Sequence, residues 1–160
     1  WKVVSNDFSI ITYPDTKNIA QYLMAGARIE NIKGTFATGT HNFYNIMLHG
    51  EYRNKTRNRL WDILANGELY MAGLNSGDYN INASLARYLN KKWGNVRLAF
   101  SNVNRTPSFI FNTLSSFNFG NASDYKKENI ISLKANADNP FVSLSAANYL
   151  ITNYAYLLGF

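Results

Sequence analysis

The chain has no cysteine, three prolines and two histidines among 160 residues. Without cysteine there is no disulfide framework, no thiolate zinc site and no thiol nucleophile. No window of about eighteen apolar residues occurs, which excludes a membrane-crossing helix; crossing strands show only alternation and are not excluded. The signatures H-E-x-x-H, G-x-S-x-G, the P-loop and G-x-G-x-x-G are missing as well. Charge is scarce, since Asp, Glu, Lys and Arg make up 16% of the chain. A surface bathed in water generally carries more, about 25–35%.

The charge that is present leans basic, with a net +6 and a pI near 9.5. That balance suits nucleic acid or an anionic surface, but the lysines and arginines are scattered. Their densest cluster, Arg53 to Arg59 in "RNKTRNR", falls between two alternating runs, where a solvated turn meeting polar headgroups accounts for it. No nucleic-acid partner is expected. His41 and His49 stand on one strand face with Glu51, but no third ligand is evident, so a rim or pore-lining role is expected rather than a metal site. Glu30, Glu51, Glu68 and Asp62 would work as acid and base only if register placed two within a few ångströms. No catalytic residue or cofactor site is nominated, and the chain reads as a non-enzyme. It opens at Trp1 with no basic-then-apolar leader, and the expectation is a mature or truncated piece of an exported protein.

What the sequence has in quantity is aromatic residues, eleven Tyr, ten Phe and three Trp, set within long runs of period two. Over 19–33 the apolar residues Ile19, Leu23, Ala25, Ala27 and Ile29 alternate with Tyr22, Arg28 and Glu30. Over 43–53, Tyr44, Ile46, Leu48, Gly50 and Tyr52 alternate with Asn45, His49, Glu51 and Arg53. Further runs occupy 61–73, 79–89, 94–101, 108–118, 128–138 and 141–157, which makes eight predicted strands from residue 19 onward. Residues 1–13 are a candidate ninth. Breakers separate them: Thr38-Gly39-Thr40, Asn75-Ser76-Gly77-Asp78, Trp93-Gly94, Asn104-Arg105-Thr106-Pro107, Gly120 to Ser123, and Asn139-Pro140. Asn58 to Gly67 and "SLARYLNKKW" also carry helix-compatible residues, but the alternation runs through both without a phase break.

The length of the runs indicates what each face touches. Soluble strands average about 5–6 residues, whereas a strand crossing the hydrocarbon at about 45° needs about 9–11. In lipid every backbone group must be paired between strands, and only apolar side chains suit the lipid side. The other face is free to be wet, and the expected lumen-facing residues are Arg28, Glu30, His49, Glu51, Arg53, Glu68, Arg97 and Lys134. Phe36, Phe43, Tyr44, Tyr52, Trp61, Tyr79, Trp93, Phe119 and Tyr125 cluster near run ends, as girdles at the two interfaces would. Of these, Tyr44, Tyr52, Trp61, Tyr79 and Trp93 are the candidate lipid-interface aromatics. A soluble lipocalin-like barrel binding a small ligand would also alternate, with its apolar face inward.

The stretch "GELYMAGLNSGDYNINASLARYLNKKWGNVRLAFSNVNRTPSFIFN" (67–112) resembles the "putative porin" outer-membrane barrels of Bacteroidetes-type bacteria. The resemblance lies in the "NSGDYN" turn, the "SLARYL" strand, the "KKWG" reversal and the "NRTPSF" turn. "FVSLSAANYLITNYAYL" (141–157) is similar to a later strand pair of such barrels. Tyr154, Tyr156, Leu158 and Phe160 resemble the aromatic-ended last strand of a barrel, although truncation within a longer barrel is the favoured expectation. The resemblance implies the bacterial outer membrane and a barrel, and names no substrate.

The fold class expected is therefore all-β: an antiparallel up-and-down transmembrane β-barrel, or a contiguous segment of one, with about eight strands. Residues 1–160 form one domain or segment, in which 1–18 is an additional strand or a leading piece. The expected function is passive diffusion of small solutes through a polar lumen. A subunit or anchor of a larger envelope assembly is the second reading. Expected partners are outer-membrane lipid and other envelope proteins or further barrel strands.

Overall fold

A computed structural model describes residues 1–115 and 125–155. It contains eight strands: β1 (Lys2–Thr12), β2 (Gln21–Phe36), β3 (Gly39–Lys55), β4 (Trp61–Gly73), β5 (Tyr79–Asn90), β6 (Gly94–Arg105), β7 (Glu128–Asp138) and β8 (Ser143–Thr152). They form one sheet in the order of the chain, each strand antiparallel to its neighbours in sequence. Among the described residues β1 and β8 do not pair with each other, so the sheet is open. It has the up-and-down pattern of a barrel segment.

The turns follow the breakers. A two-residue link joins Phe36 to Gly39, and Asn75 to Asp78 close the β4–β5 reversal. The β3–β4 ladder slips by one residue between Ile46 and Met47, a bulge that lets the strand end at Gly73. There the backbone has φ +103, and a Cβ would lie 1.9 Å from the Tyr44 carbonyl oxygen. Only glycine fits a backbone approached that closely.

One expectation changes, and the candidate strand at the start of the chain is present. Residues 108–118 were predicted as a strand from the alternation of Phe109, Phe111 and Phe117. In the described part, 108–115, there is instead one 3-10 turn, Phe109–Phe111. The reason is register: β6 pairs directly with β7 from Asn95↔Asp138 to Arg105↔Glu128, so the edge beside β6 is already taken. Phe117 lies outside the described residues. The place of the lost strand is taken by β1, which pairs with β2 over its whole length. The two segments with helix-compatible residues are β4 and β5.

Almost nothing apolar is buried. Among the described residues only Ile32, Met47 and Phe111 are buried and hydrophobic, while Leu23, Ile29, Leu48 and Leu133 are 46%, 50%, 47% and 58% exposed. A soluble barrel would hide that set in a dry centre, and the lipocalin-like reading fails on this point. Along β2 the more sheltered positions are Tyr22, Met24, Gly26, Arg28 and Glu30, opposite the apolar ones. A flat single layer would expose both faces alike, so the sheet curls toward its polar face.

Candidate lumen-facing wall

Register assembles the polar face across strands. Arg28 on β2 sits opposite Asp7 on β1 and donates Nε–H to Asp7 Oδ2 at 2.7 Å. Nε2 of His49, one strand further on, lies 3.1 Å from the other oxygen of Asp7. Gly26 makes that approach possible, since a Cβ there would lie 2.7 Å from the imidazole ring. On β3 and β4, Arg53 reaches Asp62 at 3.4 Å. Further along, Asn82 Nδ2 donates to Asn66 Oδ1 and Asn80 Oδ1, both at 3.0 Å, and Asn80 Nδ2 donates to Glu68 at 3.4 Å.

Three carboxylates in this wall have no cationic partner within ion-pair distance among the described residues. Glu30 accepts from Asn45 Nδ2 at 3.1 Å, Glu51 accepts the Tyr22 hydroxyl, and Glu68 accepts from Asn80. Neutral donors hold these groups in place without cancelling their charge.

Of the residues expected to face a lumen, Arg28, Glu30, His49, Glu51, Arg53 and Glu68 share the sheltered face of β2 to β4. Arg97, opposite Ala86 and Asn136, and Lys134, opposite Ala99, share its continuation. Lys134 Nζ lies 5.7 Å from the centroid of the Tyr149 ring. His41 stands apart from His49, 3.3 Å from the Thr38 hydroxyl. Among the described residues no three His, Asp or Glu side chains gather as a metal would need.

The opposite face carries Leu23, Ala25, Ala27 and Ile29 on β2, Ile46 and Leu48 on β3, and Ile81, Ala83 and Leu85 on β5, without a charged side chain between them. Its aromatic residues fall at two levels. Tyr44 and Tyr79 stand toward one end and Tyr52 and Trp61 toward the other, with Trp93 in the β5–β6 turn at that second end. Tyr44 and Tyr52 are separated by about 27 Å along β3 at about 3.4 Å per residue. At a tilt of about 45° that is roughly 20 Å across the membrane, close to an apolar band about 25 Å tall. Polarity returns at both levels. The Tyr79 hydroxyl meets Asn102 and Asn129 at 3.4 and 3.3 Å, and the Arg87 guanidinium covers the Trp61 ring at 4.7 Å. Phe36 and Phe43 depart from the girdle expectation because they lie on the sheltered face, against Trp1 and Phe109. Phe119, like Tyr156, Leu158 and Phe160, lies outside the described residues.

Between strands, the Arg57 guanidinium of the β3–β4 turn reaches Asp15 of the β1–β2 turn at 2.7 Å. The Lys17 backbone N–H, and then Arg57, hold the Asp15 carboxyl below its ordinary range. A depressed carboxyl contributes stability that is complete above its unfolded pKa, about 4, and is lost as pH falls through the lower folded value. Acidification below about pH 4 is thus expected to free the two turns from each other. Protease nicking at Lys17 across a pH series, compared with an Asp15→Asn chain, checks this; identical profiles would contradict it.

Sequence reasoning missed Asp7, Asp78 and Lys127. Asp78 is buried and accepts from the Thr106 N–H at 2.9 Å, the Thr106 hydroxyl at 2.8 Å and the Lys127 ammonium. Asn75, itself bonded to Asn45, donates to the second Asp78 oxygen at 3.1 Å. The one signal available was the turn composition Asn75-Ser76-Gly77-Asp78, and it pointed only to a reversal.

An open antiparallel meander, apolar and unshielded on one face and polar on the sheltered face, is the wall of an outer-membrane β-barrel. Comparison with known families agrees: the family described as "putative porin" matches residues 4–158. The chain belongs to this putative porin family, and its general role is that of a porin of the bacterial outer membrane. No curated protein and no solved structure gives a match.

Proposed function

We propose that this chain forms part of the wall of a passive diffusion channel for small polar solutes. The observation that carries the reading is the division of faces. Lipid suits the uncharged outward side, and water suits the side lined by Arg28, Glu30, Glu51 and Glu68. An open sheet edge in hydrocarbon leaves backbone groups unsatisfied at several kcal/mol each. The edges of β1 and β8 are therefore paired with further strands in the membrane. Since about eight strands alone close around a lumen filled by side chains, additional strands also make the channel wide enough to conduct. Outer-membrane lipid is the partner of the outward face.

Planar-bilayer recording of the full-length protein tests this. The expected result is stepwise ohmic conductance; a protein that inserts yet never conducts would leave only a scaffold role. The three carboxylates without cationic partners give a second expectation. In a salt gradient, the triple variant Glu30→Gln, Glu51→Gln, Glu68→Gln shifts the reversal potential toward anion preference, because selectivity follows the charge lining the lumen. An unchanged reversal potential would place these side chains away from the conduction path.

A further inference from the structure

The polar face has two parts of different chemistry. Glu30, Glu51 and Glu68 belong to β2, β3 and β4. From β4 onward, one register row across the same face carries no charge. Asn66 pairs with Asn82, Asn82 with Ser101, Ser101 with Ser132, and Ser132 with Tyr149. Asn66 and Ser132 are three strand steps apart, about 14 Å at about 4.8 Å per step. A cavity of about 210 Å³ opens on this row, lined by Asn66, Asn82, Ser84, Ser101 and Ser132 among others, with Lys134 as its one charged group. The Lys134 ammonium lies 5.7 Å from the centroid of the Tyr149 ring.

Hydrogen-bonding capacity is left over at this cavity. Ser132 is 6% exposed, yet its hydroxyl has no partner among the described residues, and buried polar groups seldom lack one. The Ser84 and Ser101 hydroxyls, Asn66 Nδ2 and Asn82 Oδ1 are also without partners among the described residues. Asn82 Nδ2 is already engaged by Asn66 and Asn80. Amides and hydroxyls together offer both donors and acceptors. A solute displaces ordered water without loss only if it reproduces that water's hydrogen bonds, and a sugar hydroxyl donates and accepts as water does. An amino acid would bring an ammonium as well as a carboxylate, and the lining holds no carboxylate to receive the ammonium.

We propose that this row is a binding track for uncharged sugars, with a ring seated against Ser101 and Ser132 and the Tyr149 ring offering an apolar face to the ring beside it. This rests on the reading of the polar face as a lumen wall, and it names the class of solute. Binding is saturable but weak, because a solute held tightly would not leave the channel.

The full-length protein in planar bilayers is titrated with raffinose, a neutral trisaccharide, and separately with polyethylene glycol of the same hydrodynamic size, which lacks the rows of hydroxyls. Raffinose is expected to reduce the ion current along a saturating curve, and the polymer only in proportion to its concentration. Ser132→Ala removes a hydroxyl that holds no other part of the chain. It is expected to raise the half-saturating raffinose concentration by about three- to tenfold, the worth of one hydrogen bond, and to leave the urea midpoint unchanged. Raffinose acting no differently from the polymer overturns the track while leaving the porin reading intact. Saturable block by glutarate, an anion without hydroxyls, that is abolished in Lys134→Gln and not matched by raffinose overturns the sugar assignment. No conductance from the unaltered protein overturns both readings. If Ser132→Ala fails to assemble, the comparison of raffinose with the polymer decides alone.

Discussion

Ala83→Arg is expected to destabilise the assembled sheet by about 2–4 kcal/mol, the cost of a cation near the bilayer midplane on a lipid-facing strand position. The identical substitution one residue later, Ser84→Arg, is expected to change stability by only about 0.5 kcal/mol, as at a wet surface position. The two side chains leave the same strand in opposite directions. Ala83 sits between Ala65 and Phe100 on the outward face, and Ser84 sits between Leu64 and Ala99, close to Asn82, Ser101 and Lys134. Ala83 lies midway between Tyr79 and Arg87, where outward polarity returns on either side. Urea titration of the folded protein in lipid vesicles measures both variants. Equal costs would mean that the two faces meet the same solvent, and the division on which the porin reading rests would be lost.

The second large effect concerns Gly73. Alanine there meets the Tyr44 carbonyl oxygen at 1.9 Å and the Asn45 Cα at 2.8 Å, in a backbone with φ +103. A left-handed backbone alone costs a side-chain-bearing residue about 1–2 kcal/mol. The overlap adds more, because both neighbours are main-chain atoms with no rotamer to yield. Gly73→Ala is therefore expected to break the end of the β3–β4 ladder and displace Asn45, which carries the bonds to Glu30 and Asn75. The readout is the fraction of protein that reaches the heat-modifiable folded form on a gel. Assembly at the wild-type level would show that the bulge opens at little cost and that Gly73 is not required.

Both predictions depend on facts of different visibility in the sequence. The strand directions of Ala83 and Ser84 are legible from period two alone, because a strand side chain has only two choices of face. The candidate lumen residues from Arg28 to Lys134 share one face for the same reason. Composition also indicated which face meets lipid, since a dry core would have required the charge-poor polar face to bear the whole contact with water. The helix-compatible stretches yielded to alternation, as tertiary pairing commonly overrides propensity.

The local pattern was least informative where partners are remote. Phe109 and Phe111 alternate as a strand would, and nothing nearby reveals that β6 and β7 already satisfy each other. Asp7 acquires its role only when β1 brings it beside Arg28 and His49, and Asp78 only when Thr106 and Lys127 return to it.

The sequence by itself determined an all-β chain of long two-faced strands with short reversals, because alternation and turn chemistry act over a few neighbouring residues. Only the tertiary structure decided which strands exist at the two ends of the pattern, that the sheet stays open among the described residues, and that the segment after β6 turns inward. Those outcomes depend on which backbone edges remain unpaired and on contacts between side chains dozens of residues apart, quantities that no local window contains.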